Sequence, residues 1–208
     1  MKGHVVRKIV ALGFVAVLLS ACTPNVGTAA VVGDTKISVN SVQESVRAIV
    51  EQRRATGPTE NSDIASGQMA QDQLRFQILA TVLAHAAKQY GVTISPAELS
   101  SSRRAVLAQF GSEENLLMAL TQNQIARKDL DLYLESVLYQ QKLGEKLVTG
   151  DANDSAVASA RSEAVNRLTF ETLGKTKITV NPRFGVFDPV SGMLTVKDFT
   201  NGALAPRS

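Results

Sequence analysis

Apolar positions along this chain recur in a helical rhythm. From Val39 they fall at 39, 42, 46, 49 and 50, one face of a helix with its 3.6-residue turn. Arg53 and Arg54 close that stretch ahead of Gly57-Pro58, and the polar run from Thr56 to Ser66 reads as a loop. A second helix is expected from about Ile64 to Tyr90, its stripe carried by Met69, Leu74, Ile78, Leu79, Val82, Leu83 and Ala86. Gly91 follows, where a left-handed residue suits a helix end. Ser95-Pro96-Ala97-Glu98 opens a third helix, with Ser as cap, Pro at the first helical position and Glu three residues on. That helix carries Leu99, Val106, Leu107 and Phe110 and stops at Gly111. Ser112 caps a short fourth with Leu116, Leu117 and Leu120. The fifth runs from about Ala126 to Val148 on an inner face of Leu130, Leu134, Val137, Leu138 and Leu147. After the turn Asp151–Asp154 a sixth starts near Ser155 and uses Val157, Ala160, Ala164, Val165 and Leu168.

Two short stretches break this rhythm. Ala29-Ala30-Val31-Val32 ends in a Gly33-Asp34 turn, and Lys177-Ile178-Thr179-Val180 is a β-branched run stopped by Asn181-Pro182. A lone strand is not stable in water, so the two are expected to pair. The predicted class is mainly α: a bundle of about six helices with a small two-stranded sheet formed by the N- and C-terminal strands. Lys36-Ile37-Ser38 reads as the lead-in to the first helix, with Ser38, Asn40 or Ser41 as its cap; Ser41 with Glu44 fits a capping box. The domain is expected over residues 29–187. Residues 188–208 read as a loose tail with a weak hairpin around Pro189 to Gly192.

The first thirty residues follow a different pattern. Lys2, Arg7 and Lys8 precede an apolar run from Ile9 to Leu19, and Ser20-Ala21-Cys22 follows. A basic start, a short apolar stretch and small residues make a secretory signal, too short to span a bilayer comfortably. Leu19-Ser20-Ala21-Cys22 resembles a bacterial lipobox. The resemblance implies diacylglycerol on Cys22 and cleavage before it, leaving residues 1–21 as signal peptide and 22–28 as a lipidated tether. Each buried methylene contributes roughly 0.8 kcal/mol, so two or more chains anchor stably. The expected location is the cell membrane, lipid-anchored and facing the extracytoplasmic side.

The signal changes the charge picture. The chain has 22 basic and 19 acidic residues. The leader holds three basics and no acid, so what remains carries 19 of each and a formal net charge of zero. Nucleic acid is not an expected partner, since phosphate attraction needs a basic excess. Cys22 is the one cysteine, so the fold relies on its core rather than on disulfides. Only His85 remains outside the leader, and with no free thiol neither a metal site nor a cofactor is expected. Asp151-Ala152-Asn153-Asp154 lacks the spacing of a calcium loop and reads as a turn and cap. No serine lies in a GxSxG context. A non-catalytic protein without a small-molecule substrate is therefore expected.

A strand ending in Gly-Asp, then Lys36-Ile37-Ser38 and an amphipathic helix, resembles the start of SurA- and PrsA-type foldases. The Ser95–Glu98 helix start, the Gly111-Ser112 break and the long fifth helix continue the likeness. Asn181-Pro182-Arg183-Phe184-Gly185 is similar to the ending of SurA-like lipoproteins. Relatives of full length insert a parvulin-type prolyl isomerase domain between the fifth helix and the returning one. Here only Val148 to about Ser155 joins them, too little for a domain. The resemblance thus implies a chaperone part without isomerase activity. Its partners would be unfolded or nascent exported polypeptides, and the lipid membrane through acylated Cys22. A structural or adaptor lipoprotein holding one folded envelope partner is the alternative. Candidate client contacts are the apolar residues that miss the inner stripes: Phe76, Leu116, Met118, Leu132 and Tyr133. Arg53-Arg54 and Arg103-Arg104 read as solvated basic pairs, and Arg183 as the partner of a nearby acid.

Overall fold

The computed structural model describes residues 27–56 and 65–195; residues 1–26, which hold Cys22, and the last thirteen residues lie outside that range. The described residues form six α-helices and a small antiparallel sheet that packs on two of them. The helices are α1 (Val39–Thr56), α2 (Ala65–Gln89), α3 (Pro96–Phe110), α4 (Glu113–Gln122), α5 (Leu130–Leu147) and α6 (Ser155–Lys175). No helix among the described residues is long and apolar enough to cross a membrane.

The sheet has three strands rather than two, in the order β2-β1-β3. As expected, β1 (Thr28–Val32) pairs antiparallel with β3 (Ile178–Val180), Ala30 opposite Val180 and Val32 opposite Ile178. The correction is β2 (Thr35–Ser38), which pairs with the other edge of β1. Only Ile37 of its four residues points inward, so the stretch is too short to show alternation. The two-residue Gly33-Asp34 turn enforces the hairpin, with Gly33 at φ 61. Its Cα lies so close to α2 that a Cβ would sit 3.3 Å from the His85 ring. His85 Nε2 and the Thr35 hydroxyl share a hydrogen bond of 3.2 Å, which fastens that turn to the helix.

The helix caps follow local chemistry. Ser38 caps α1, its hydroxyl accepting from the Ser41 N–H at 2.9 Å. Ser41 instead donates to Gln77 Oε1 on α2 at 3.0 Å. Ser95 and Glu98 form the expected capping box under Pro96, and Ser112 and Asp154 cap α4 and α6. Seven residues, Val148–Asp154, join α5 to α6. Arg161 holds this connection, its guanidinium donating to the carbonyls of Val148 and Gly150 at 3.1 and 3.0 Å.

The chain stays ordered past residue 187. Phe184 is buried in the main core, and a second hairpin follows, β4 (Val186–Asp188) with β5 (Met193–Thr195). Leu194 belongs to that core too, and this pair is the hairpin expected around Pro189 to Gly192. Gly185 makes this possible: at φ 109 its Cα rests against β5, and a Cβ would lie 2.3 Å from the Thr195 carbonyl oxygen. Arg183 does not pair with an acid among the described residues; its guanidinium lies 5.2 Å from the centroid of the Phe184 ring.

The main core joins the sheet to α1 and α2 through Val32, Val42, Leu74, Ile78 and Val82, all fully buried. A second cluster packs the end of α2 against α5 and α6 around Leu143 and Val165. A third, of leucines, joins α3, α4 and α5.

Candidate functional site

An open groove of about 510 Å³ lies between α2, α5 and α6. Phe76, Leu79 and Leu83 of α2 form its floor. Tyr133 and Val137 of α5 line one wall, and Thr169, Phe170 and Leu173 of α6 the other. Near their connection α5 and α6 approach closely, since Gly144 admits the Arg161 side chain; a Cβ there would lie 3.0 Å from Arg161 Cβ. Farther along, the same two helices present apolar side chains to open space: Val137 is 40% exposed and Phe170 50%.

The loop after α4 closes one end through Asn123 and Ile125. Between them Gln124 adopts a left-handed φ of 54, uncommon for a residue with a side chain. Two buried glutamines hold it there. Gln73 Nε2 donates to the Gln124 carbonyl at 2.8 Å and Gln52 Nε2 to that of Ile125 at 3.1 Å. Gln52 Oε1 also accepts the Arg127 N–H at 2.7 Å. A glutamine side chain offers both donors and an acceptor, so one buried residue bridges α1 to this loop.

Among the described residues no aspartate, glutamate, lysine or arginine lines the groove. Its polar members are amides and hydroxyls, among them Asn123, Ser136, Gln140 and Asn166. The charges lie elsewhere. Arg103 pairs with Asp131 and Arg127 with Glu113 around a smaller cavity of about 240 Å³ beneath α3 and α4. Lys142 pairs with Glu98 at 2.5 Å. That contact, with the Ser95 amide and hydroxyl, holds the Glu98 carboxyl down to about 2. Among the described residues no three His, Cys, Asp or Glu side chains gather as metal ligands would.

The structure brings together two of the residues singled out from sequence, Phe76 and Tyr133, on facing sides of the groove. Leu116 is a core residue, 9% exposed among the leucines of α3, α4 and α5. Met118 is exposed on α4 but outside the groove, and half-buried Leu132 does not line it. Val137, expected on the inner face of α5, is a groove residue. Phe170 was missed altogether. The signal was present: it lies off the stripe of Val165, Leu168 and Thr172 that α6 buries, the same criterion that selects Phe76.

The sequence matches the family of the SurA-like N-terminal domain over residues 3–144. No curated protein and no solved structure matched the chain. The matched region runs from residue 3 through most of α5, while α6, β3 and the second hairpin lie beyond it. The family's domain is of chaperone type rather than catalytic. With the match covering well over half of its 208 residues, this chain belongs to the family of SurA-like N-terminal domains.

Proposed function

We propose that the protein is a membrane-anchored extracytoplasmic holdase that binds unfolded exported polypeptides and lacks prolyl isomerase activity. The observation that carries this reading is the open, uncharged, apolar groove of α2, α5 and α6 on a SurA-like fold. An exported chain that has not folded exposes apolar segments and aggregates through them. A groove of about 510 Å³ admits only a few side chains at once. Each large apolar side chain buried contributes ~1.5–3 kcal/mol, and the lost freedom of client and groove offsets much of that sum. Binding is then reversible, as a holdase needs, and it favours the unfolded chain over the folded one. The short Val148–Asp154 connection supports the absence of an inserted isomerase domain. The leader pattern and Cys22 support the anchor.

Aggregation of a denatured client, followed by light scattering with the purified Cys22→Ser form present, tests the activity. Suppression is expected. Absence of both suppression and binding to the unfolded chain overturns the reading, and one stoichiometric folded partner in a pull-down replaces it with an adaptor role. Labelling with a radioactive fatty acid should mark the natural chain and not Cys22→Ser. A proline-isomerisation assay should show only the uncatalysed rate.

A further inference from the structure

The β4–β5 hairpin is apolar on both of its faces. Phe187 and Leu194, opposite each other in the ladder, turn inward onto the main core. Successive strand residues point to opposite faces, so Val186 and Met193 turn outward, 47% and 44% exposed. Val190 at the tip is 83% exposed. Single exposed apolar residues need no explanation, but three within residues 186–193 form a patch. It is held in place. Gln71 Nε2 donates to the Phe184 carbonyl at 2.9 Å and Arg75 Nε to that of Gly192 at 2.8 Å, so both ends of the hairpin are fixed to α2. Asp188 braces the tip: one carboxylate oxygen accepts the Val190 N–H at 2.9 Å, the other the Ser191 hydroxyl at 2.6 Å. The one acid of the hairpin is thereby engaged within the turn.

The place of the patch relative to the start of the domain selects its partner. Asn181, five residues before Val186, donates its N–H to the Ala29 carbonyl at 2.8 Å and its side-chain amide to that of Thr28 at 3.1 Å. The root of the hairpin is thus tied to the first strand. Cys22 lies five residues before Gly27. An extended chain covers about 3.3–3.6 Å per residue, so an acylated Cys22 stands at most about 18 Å from Gly27. A bilayer holding those acyl chains therefore stays within reach of this end of the domain. Tethering gives the contact a high effective concentration, so a small apolar patch is enough. Arg183 lies between Asn181 and the hairpin, exposed and with no acid partner among the described residues; a guanidinium there suits anionic lipid phosphate. We propose that Val186, Val190 and Met193 of the β4–β5 hairpin dock on the bilayer that carries acylated Cys22, with Arg183 meeting its anionic headgroups. This rests on the lipid-anchor reading and adds that the body is held against the membrane instead of swinging on its tether.

The chain has no tryptophan, so a single one reports its own surroundings. The acylated chain carrying Val190→Trp is reconstituted in vesicles of phosphatidylcholine and phosphatidylglycerol. Its emission should shift to the blue and lose intensity when the lipids carry brominated acyl chains. Met118→Trp, on α4, brings the same preference for an interface and should not be quenched. Adding Val186→Asp and Met193→Asp to the Val190→Trp chain should abolish the quenching, and adding Arg183→Gln should weaken it. Unaltered thermal melting of these variants separates a lost contact from a lost fold. No quenching of Val190→Trp, equal quenching of Met118→Trp, or quenching indifferent to both the paired aspartates and Arg183→Gln overturns the docking. Mass spectrometry of the purified chain separates the two readings. An acylated chain whose Val190→Trp goes unquenched keeps the anchor and loses the docking; a chain without acyl groups loses both. A blue shift that grows with protein concentration in the absence of vesicles gives the face to a second copy and also overturns the proposal.

Discussion

On one face of α2, Leu74, Ile78 and Val82 are fully buried beneath the sheet, while a short turn around the same helix Phe76 and Leu79 line open space. The residue types hardly differ. What differs is the cover. Three strands, α1 and the Leu194 hairpin close over the first face. The second receives α5 and α6, which are drawn together at Gly144 and leave a gap farther on. Apolar surface is therefore stability where a neighbour covers it and a binding surface where none does, and the two roles predict opposite responses to mutation.

The sharpest break between the faces comes from truncation. Ile78→Ala should cost about 2–5 kcal/mol by the usual sum of lost transfer and cavity, measured by chemical denaturation. Gly185→Ala should cost about 3 kcal/mol, because its Cβ would meet the Thr195 carbonyl oxygen at 2.3 Å and displace the hairpin. Since the hairpin buries Leu194 in the main core, that variant should melt at a lower temperature. Gln52→Ala should cost about 1–3 kcal/mol, as it leaves the Arg127 N–H and the Ile125 carbonyl without their buried partner. It should also raise hydrogen exchange in the loop that ends the groove.

Smaller effects refine the contrast. Glu98, bound first by Lys142 and then by Ser95, titrates near 2 in the folded chain instead of its ordinary 4.5. A carboxyl depressed by folding stabilises above its ordinary value, and that contribution disappears as pH falls from 4.5 toward 2. The melting temperature should drop across this window, and Glu98→Gln should flatten the drop. The contact ties α3 to α5, one wall of the groove, so client binding should weaken over the same range. The smallest change in stability is expected for Phe170→Ser, within about 0.5 kcal/mol, even though it should clearly reduce binding. A large loss there would place Phe170 with the core and erase the distinction between the two faces.

Much of the framework was legible in the residues. Ser95, Pro96 and Glu98 announced the start of α3, and Gly111 and Gly91 stood where helices stopped, because caps act within a turn of themselves. The pairing of β1 with β3 was legible from the instability of a lone strand. The third strand was not, since Thr35–Ser38 buries only Ile37. The turn of the second hairpin was legible at Pro189 to Gly192, but the burial of Leu194 in the main core was not, because a three-residue strand leaves almost no periodic signal.

The groove itself was only half legible. Phe76 and Tyr133, chosen because they depart from their helices' stripes, line the groove, whereas Leu116, chosen on the same reasoning, lies in a leucine core. Periodicity states that a residue is apolar and on which side of its own helix it lies. It does not state which other helix arrives there. The sequence by itself determined the helices, their order and the caps of α3, α4 and α6, since those depend on neighbours a few residues away. Only the tertiary structure decided that Phe170 and Val137 stay open while Leu116 is covered, because burial depends on residues far apart in the chain, such as 76, 133 and 170, and on whether anything fills the space between them.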